Sequence, residues 1–271
     1  MASLADMDAG KPLRGGAAQF IDRWIYVFMA GLFLVAIFAG FIPDSLAKVA
    51  AVKAGQRAPF PMVLHAHAVL MGAWMLLLLA QTTLMATGRQ TLHKQLGIAS
   101  FVLAPALVIV GFLLVPTMHY QLADAIRNSP PQVAAAIRPA LGIVLDIMLI
   151  QIRVGIVFAI LIGIAIAVRR SDSGLHKRLM ILGTAAALSA ATDRISWLPS
   201  TMPHSPLTAD LWPLVLIAPM FLWDLYRLKH VHSAYVIYLL LCLALAIPMN
   251  LLWNTPWWRD TAMQMTGIAG V

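Results

Sequence analysis

Residues 60–81 read FPMVLHAHAVLMGAWMLLLLAQ, a run without a single Asp, Glu, Lys or Arg, in which His65, His67 and Gln81 are the strongly polar side chains. At 1.5 Å of rise per residue, a helix of this length covers roughly 33 Å. That is enough to cross the ~30 Å hydrocarbon layer of a bilayer. The run starts after a proline and ends near the turn signal Thr87-Gly88-Arg89, so it predicts a helix over Met62 to Ala86.

Windows of the same kind recur on both sides: Trp24 to Ile42, Gly97 to Met118, Ala140 to Val168, Leu179 to Leu198, Leu211 to Tyr226 and Ala234 to Trp253. The composition agrees, with 61% hydrophobic and 11% charged residues and a mean hydropathy of +0.83. A soluble domain needs a more charged surface than that, so the solvent for most side chains is lipid. The expected fold is all-α, a polytopic membrane protein built as a bundle of about seven transmembrane helices with a cytoplasmic N-terminus. The expected division is a cytoplasmic arm at 1–23 without a cleaved signal peptide, a seven-helix domain at 24–253 and a short periplasmic tail at 254–271.

Orientation follows from charge. With the N-terminus inside, the inner segments hold eleven of the 19 Lys and Arg residues, the outer segments six, and Arg153 and Arg194 fall within spans. That asymmetry points to the inner membrane of a bacterium. Trp197, Trp212, Trp253, Trp257 and Trp258 then gather at the outer ends, where an aromatic belt is expected. The net charge of +8 is spread over many short loops, so it does not indicate nucleic acid. The single cysteine, Cys242, excludes an intrachain disulfide. Glycine-rich phosphate loops, nucleophile elbows and HExxH motifs are missing, which leaves soluble hydrolase and nucleotide chemistry without support.

Ionisable groups inside a membrane are costly, and each is a candidate functional residue. His67 shares a helical stripe with Met71, Trp74, Leu78 and Gln81, and the four-three spacing turns that stripe toward the bundle. His65, two residues away, points to another face. His119 ends the third window at the same outer level. Asp146 and Arg153 lie in the fourth window, and Asp193 and Arg194 near the outer end of the fifth. Helical rise places His67, Asp146, Asp193 and Arg194 about 6 to 10 Å below the outer boundary. Two readings stay open for this group. His65, His67 and His119 with Asp146 and Asp193 have the donor types that hold Fe, Zn or Cu. Alternatively Asp146, Arg153, Asp193 and Arg194 neutralise one another as ion pairs, or line a pathway for a proton or small anion. The segment between His119 and Pro139, with RNSPPQ at its centre, reads as an irregular lid over the outer site.

A weak repeat marks the inner face: TGRQTLHKQLG around His93 and VRRSDSGLHKRLMILG around His176. Each has Arg at the exit of one helix and Leu-His-Lys at the start of the next. The basic residues can anchor helices to anionic headgroups, or the two histidines can face one another as haem or metal ligands.

From His67 through Leu70-Met71, Trp74, Gly88-Arg89, His93 and Leu96, the chain resembles the core of the transmembrane cytochrome b family that includes ascorbate-reducible and ferric-reductase-type proteins. It is also similar to bacterial multi-span proteins that share an HxH, Trp, Gln-Thr, Arg and LHKxLG order. The resemblance implies haem b held by four histidines, which map to His67, His93, His119 and His176 here, and a redox function. By depth, His67 would pair with His119 near the outer face and His93 with His176 near the inner face. A divalent metal instead of haem, a carrier or sensor role, and a non-catalytic place among partner subunits or in a homo-oligomer are the competing expectations.

Overall fold

The computed structural model describes residues 16–268, so most of the expected N-terminal arm and the last three residues of the expected tail lie outside the described residues. The described chain is helical throughout: α1 Gly16–Lys53, α2 Met62–Ala86, α3 Gln90–Gly97, α4 Ser100–Asn128, α5 Pro131–Val168, α6 Ser173–Ala186, α7 Ser189–Thr192, α8 Leu207–Leu228, α9 Ser233–Leu252 and α10 Pro256–Thr266. Six of these helices (α1, α2, α4, α5, α8 and α9) are long and apolar enough to cross a membrane. The chain thus has the form of a multi-pass membrane protein.

The fifth apolar window is the exception. Its residues form α6 and the four-residue α7, separated at Ala187 and Leu188, with turns from Asp193 on. Broken backbone is tolerated at membrane depth only where protein covers it. Leu179, Ile181, Leu182 and Ala185 are fully buried, and Leu188 and Ala191 nearly so. Small residues make this burial possible. A Cβ on Gly40 of α1 would sit 2.1 Å from the Ala191 carbonyl oxygen, so α1 and α7 meet backbone to backbone. A Cβ on Gly183 would fall 2.8 Å from Ile162 Cδ1, which sets the close approach of α6 to α5. The central helix is α5, whose most apolar window is 44% buried against 17–28% for the other five. Those five turn large apolar side chains such as Val69, Leu76, Val102 and Leu240 outward, as lipid requires.

Contacts define two ends. At one, Arg23 bonds the Ala86 carbonyl, and Arg227 and Trp223 bond Asp22. At the other, Gln121 donates to the Pro59 carbonyl at 3.0 Å and Arg194 to Asp44 at 3.2 Å. Here a second apolar cluster forms a cap in which Val115, Ile126, Leu141, Leu145, Trp253, Trp258 and Ala262 pack together.

This cap corrects the expectation of an irregular lid. The proposed lid is ordered helix: α4 runs on to Asn128 and α5 starts at Pro131, joined by Ser129 and Pro130 alone. The proline sits at a first helical turn, where a missing N–H costs nothing. The C-terminal segment likewise carries a helix, α10, started by Thr255, whose hydroxyl accepts from the Trp258 N–H. Trp253 and Trp258 are core residues, bonding the Pro203 and Leu145 carbonyls at 2.9 and 2.8 Å. Trp197 and Trp257 remain exposed, in the manner of an interfacial belt.

Candidate functional site

Of the candidate histidines, His65 and His67 stand on α2, His93 on α3, His119 on α4 and His176 on α6, and helix register decides which can meet. A Cβ on Gly97 would touch Gln81 Nε2 at 3.4 Å, and one on Gly111 would lie 3.8 Å from the His67 ring. Gln121 meets Pro59. The chain around α2 therefore runs antiparallel to α3 and α4 with residue numbers summing to about 180, which puts His119 opposite residues near 60. His67 is displaced from that level by about 9 to 12 Å along the helix. His119 is also buried, with Nδ1 2.7 Å from the Val115 carbonyl and Nε2 3.2 Å from that of Val144, so its one N–H is held by the backbone whichever tautomer it takes. The outer pairing of His67 with His119 does not fit a haem, because both nitrogens of the His119 ring are turned to backbone carbonyls and His67 is too far along the bundle.

The larger outer metal shell does not assemble either. His65 is exposed and stands edge-on to Phe60. Asp146 belongs to the cap seam, where Arg259 Nη2 donates to it at 2.5 Å and the Asn254 N–H at 3.3 Å. Arg153, expected beside Asp146, instead pairs with Asp210. Arg194 pairs with Asp44 and lies over the Phe41 ring, so it does not serve Asp193 alone. Among the described residues, no three His, Cys, Asp or Glu side chains come close enough to hold a metal ion.

At the opposite end the repeat folds back on itself. Asp172 caps α6 by accepting from the Leu175 N–H at 2.8 Å, and Arg89 precedes α3, so both LHK segments begin short helices at one level. His176 Nδ1 lies 2.8 Å from the Ala165 carbonyl of α5, which leaves Nε2 as its free nitrogen. His93 Nδ1 is buried without a hydrogen bond. Its neighbour Gln81 has both amide atoms buried and unpartnered. Burial lowers the pKa of both rings below the ordinary imidazole value. The Gln81 backbone opposes this at His93 and the Ala165 carbonyl at His176, while His93 itself, followed by Arg169, pushes His176 further down. Burial thus favours the neutral form of both rings, and the unpaired atoms of His93 and Gln81 lie where α3 meets α2. Buried polar groups without partners are uncommon in folded proteins and call for an explanation.

Several polar residues of the core escaped the sequence reading. Asp224, inside the sixth window, accepts two bonds from Arg178, at 2.7 and 2.8 Å, and one from the Tyr235 hydroxyl at 2.5 Å. A carboxylate within an apolar window was the available signal. Tyr238 and Cys242 join Arg153 and Asp210 around a small internal cavity, and only the fold brings those four together. The chain matches no protein-family model, no curated protein and no solved structure.

Proposed function

We propose that this is a bacterial inner-membrane protein that holds a haem b between His93 and His176 near the cytoplasmic face and uses it for electron transfer. The observation that carries the reading is the pair itself: two half-buried imidazoles within electrostatic reach of each other, their neutral form favoured by burial, one with Nδ1 fixed by a carbonyl and Nε2 free, the other with a buried unbonded Nδ1. Haem brings four nitrogen ligands of its own and asks the protein for two axial ones. A bare Zn²⁺, Fe²⁺ or Cu²⁺ asks for three or four protein ligands, which favours haem over a naked ion here. The bound group would supply one-electron chemistry. The chain's part is to fix the His176 tautomer through Ala165, to keep both rings unprotonated by burial, and to offer Arg169 as a positive neighbour for a propionate.

In this reading residues 179–198, broken at Ala187 and Leu188, make a seventh crossing and the N-terminus lies in the cytoplasm. The eleven-to-six distribution of Lys and Arg supports that orientation. The test is the absorption spectrum of gently purified protein, oxidised and dithionite-reduced. A bis-histidine haem spectrum that disappears in His93→Ala and His176→Ala, and persists in His65→Ala, is the expected result. A spectrum indifferent to His93 and His176, or a colourless protein after expression with added haem precursor, sinks the proposal. Metal analysis of the colourless protein would then show whether a bare ion takes the site.

A further inference from the structure

We propose that protons cross the bundle along a line of buried side chains that runs from Asp210 to Asp224, separate from the histidine site. Helix α8 carries Asp210 in its first turn and Asp224 near its last, fourteen residues and so about 21 Å apart. Each carboxylate is paired with a guanidinium from another helix, Asp210 with Arg153 of α5 and Asp224 with Arg178 of α6. The facing helix α9 presents Tyr235, Tyr238 and Cys242, spaced three and four residues apart and therefore on one face.

The interval between the carboxylates is populated from both ends. The Tyr235 hydroxyl donates to Asp224 at 2.5 Å. Tyr26 of α1 lies beside both Tyr235 and Arg178. Tyr238 and Cys242, one helical turn apart on α9, lie beside Arg153 and Asp210. Arg153, Asp210, Tyr238 and Cys242 line a cavity of about 10 Å³, close to the space one water occupies. The Arg153 Nε, buried without a hydrogen bond, is a donor for such a water.

Chemistry selects the proton as the passenger. Carboxylate, phenol and thiol all exchange protons, and a cavity of one water has no room for a hydrated ion or an organic substrate. A proton needs no open pore, since it passes from oxygen to oxygen while each group returns its own proton to the next. Buried ion pairs in a bundle of this kind contribute little net stability compared with apolar residues of the same volume, and intramembrane carboxylates recur in proton relays.

The experiment uses the full-length purified protein in liposomes loaded with a pH-sensitive dye, with a potassium diffusion potential as driving force. Wild type should acidify the lumen faster than protein-free vesicles, and both Asp210→Asn and Tyr238→Phe should cut that excess about tenfold or more. Tyr238→Phe removes one oxygen and keeps the ring, so it remains decisive should Asp210→Asn fail to fold. Wild-type flux equal to that of empty vesicles overturns the proposal. So does a folded Tyr238→Phe protein that conducts like wild type.

Discussion

Arg178 and Asp224 meet through two parallel hydrogen bonds, Nε to Oδ2 at 2.7 Å and Nη2 to Oδ1 at 2.8 Å, in a part of the bundle where both side chains are almost fully enclosed. The pair ties α6, just after the LHK repeat, to the end of α8. Tyr235 adds α9 to the same carboxylate, so three helices are registered by one acidic group. Removing one partner leaves a buried charge uncompensated, at a cost of about 3–5 kcal/mol. Asp224→Asn or Arg178→Met should therefore lower the thermal midpoint in detergent sharply. The double replacement Arg178→Met with Asp224→Leu should recover part of that loss. A double variant as damaged as the sum of the singles would contradict this account.

His119 and the inner histidines separate structure from function. Because both ring nitrogens of His119 face carbonyls, His119→Ala should cost about 1–3 kcal/mol of stability while leaving any haem spectrum unchanged. Comparing melting curves and spectra of the same preparation tests both halves at once.

Acidification should act through His93 and His176. Their folded pKa values lie below the ordinary 6.5, so the unfolded chain binds protons more readily. The sign is that of a depressed group: the stabilisation from neutral imidazole is complete above pH 6.5 and is lost as pH falls through the lower folded values. Ligand retention follows the same direction, since only neutral imidazole coordinates. Midpoints measured across pH 7.5 to about 5 should fall in wild type and fall less steeply in a His93→Gln, His176→Gln protein.

Glycine substitutions give a sharp internal contrast. Gly40→Ala drives a methyl to 2.1 Å from the Ala191 carbonyl, backbone against backbone, and should cost about 1–3 kcal/mol or more. Gly163→Ala meets nothing within 4 Å and should be neutral or slightly stabilising. Equal melting temperatures for the two variants would mean that the α1–α7 contact is looser than described.

The cap depends on Arg259. It is the guanidinium on Asp146, and it also bonds Asn254 at 2.7 Å. Arg259→Ala should release α10, visible as faster hydrogen exchange over residues 256–266, while exchange in α2 and α6 stays as in wild type. The added replacement Trp258→Phe, which deletes the bond to the Leu145 carbonyl, should enlarge the effect.

The membrane character, the helical class and six of the spans are properties of local composition, because a helix in lipid satisfies its own backbone and needs only about twenty apolar residues to do so. The α2 boundaries, Met62–Ala86, coincide with those expected from the apolar run alone. The stripe of His67, Trp74 and Leu78 on the bundle side follows from periodicity in the same way. Pairing is a different matter. Asp146 with Arg259, Arg153 with Asp210 and Arg178 with Asp224 join residues 113, 57 and 46 positions apart. Depth along each helix narrows the choices, but two residues at one depth meet only if their helices are neighbours and rotated toward each other. Rotation and neighbourhood come from packing, through contacts as specific as Gly40 against Ala191 and Gly183 against Ile162. Composition made residues 179–198 look like one unbroken helix, and only the surrounding protein, by covering the break at Ala187 and Leu188, lets α6 and α7 stand as separate pieces.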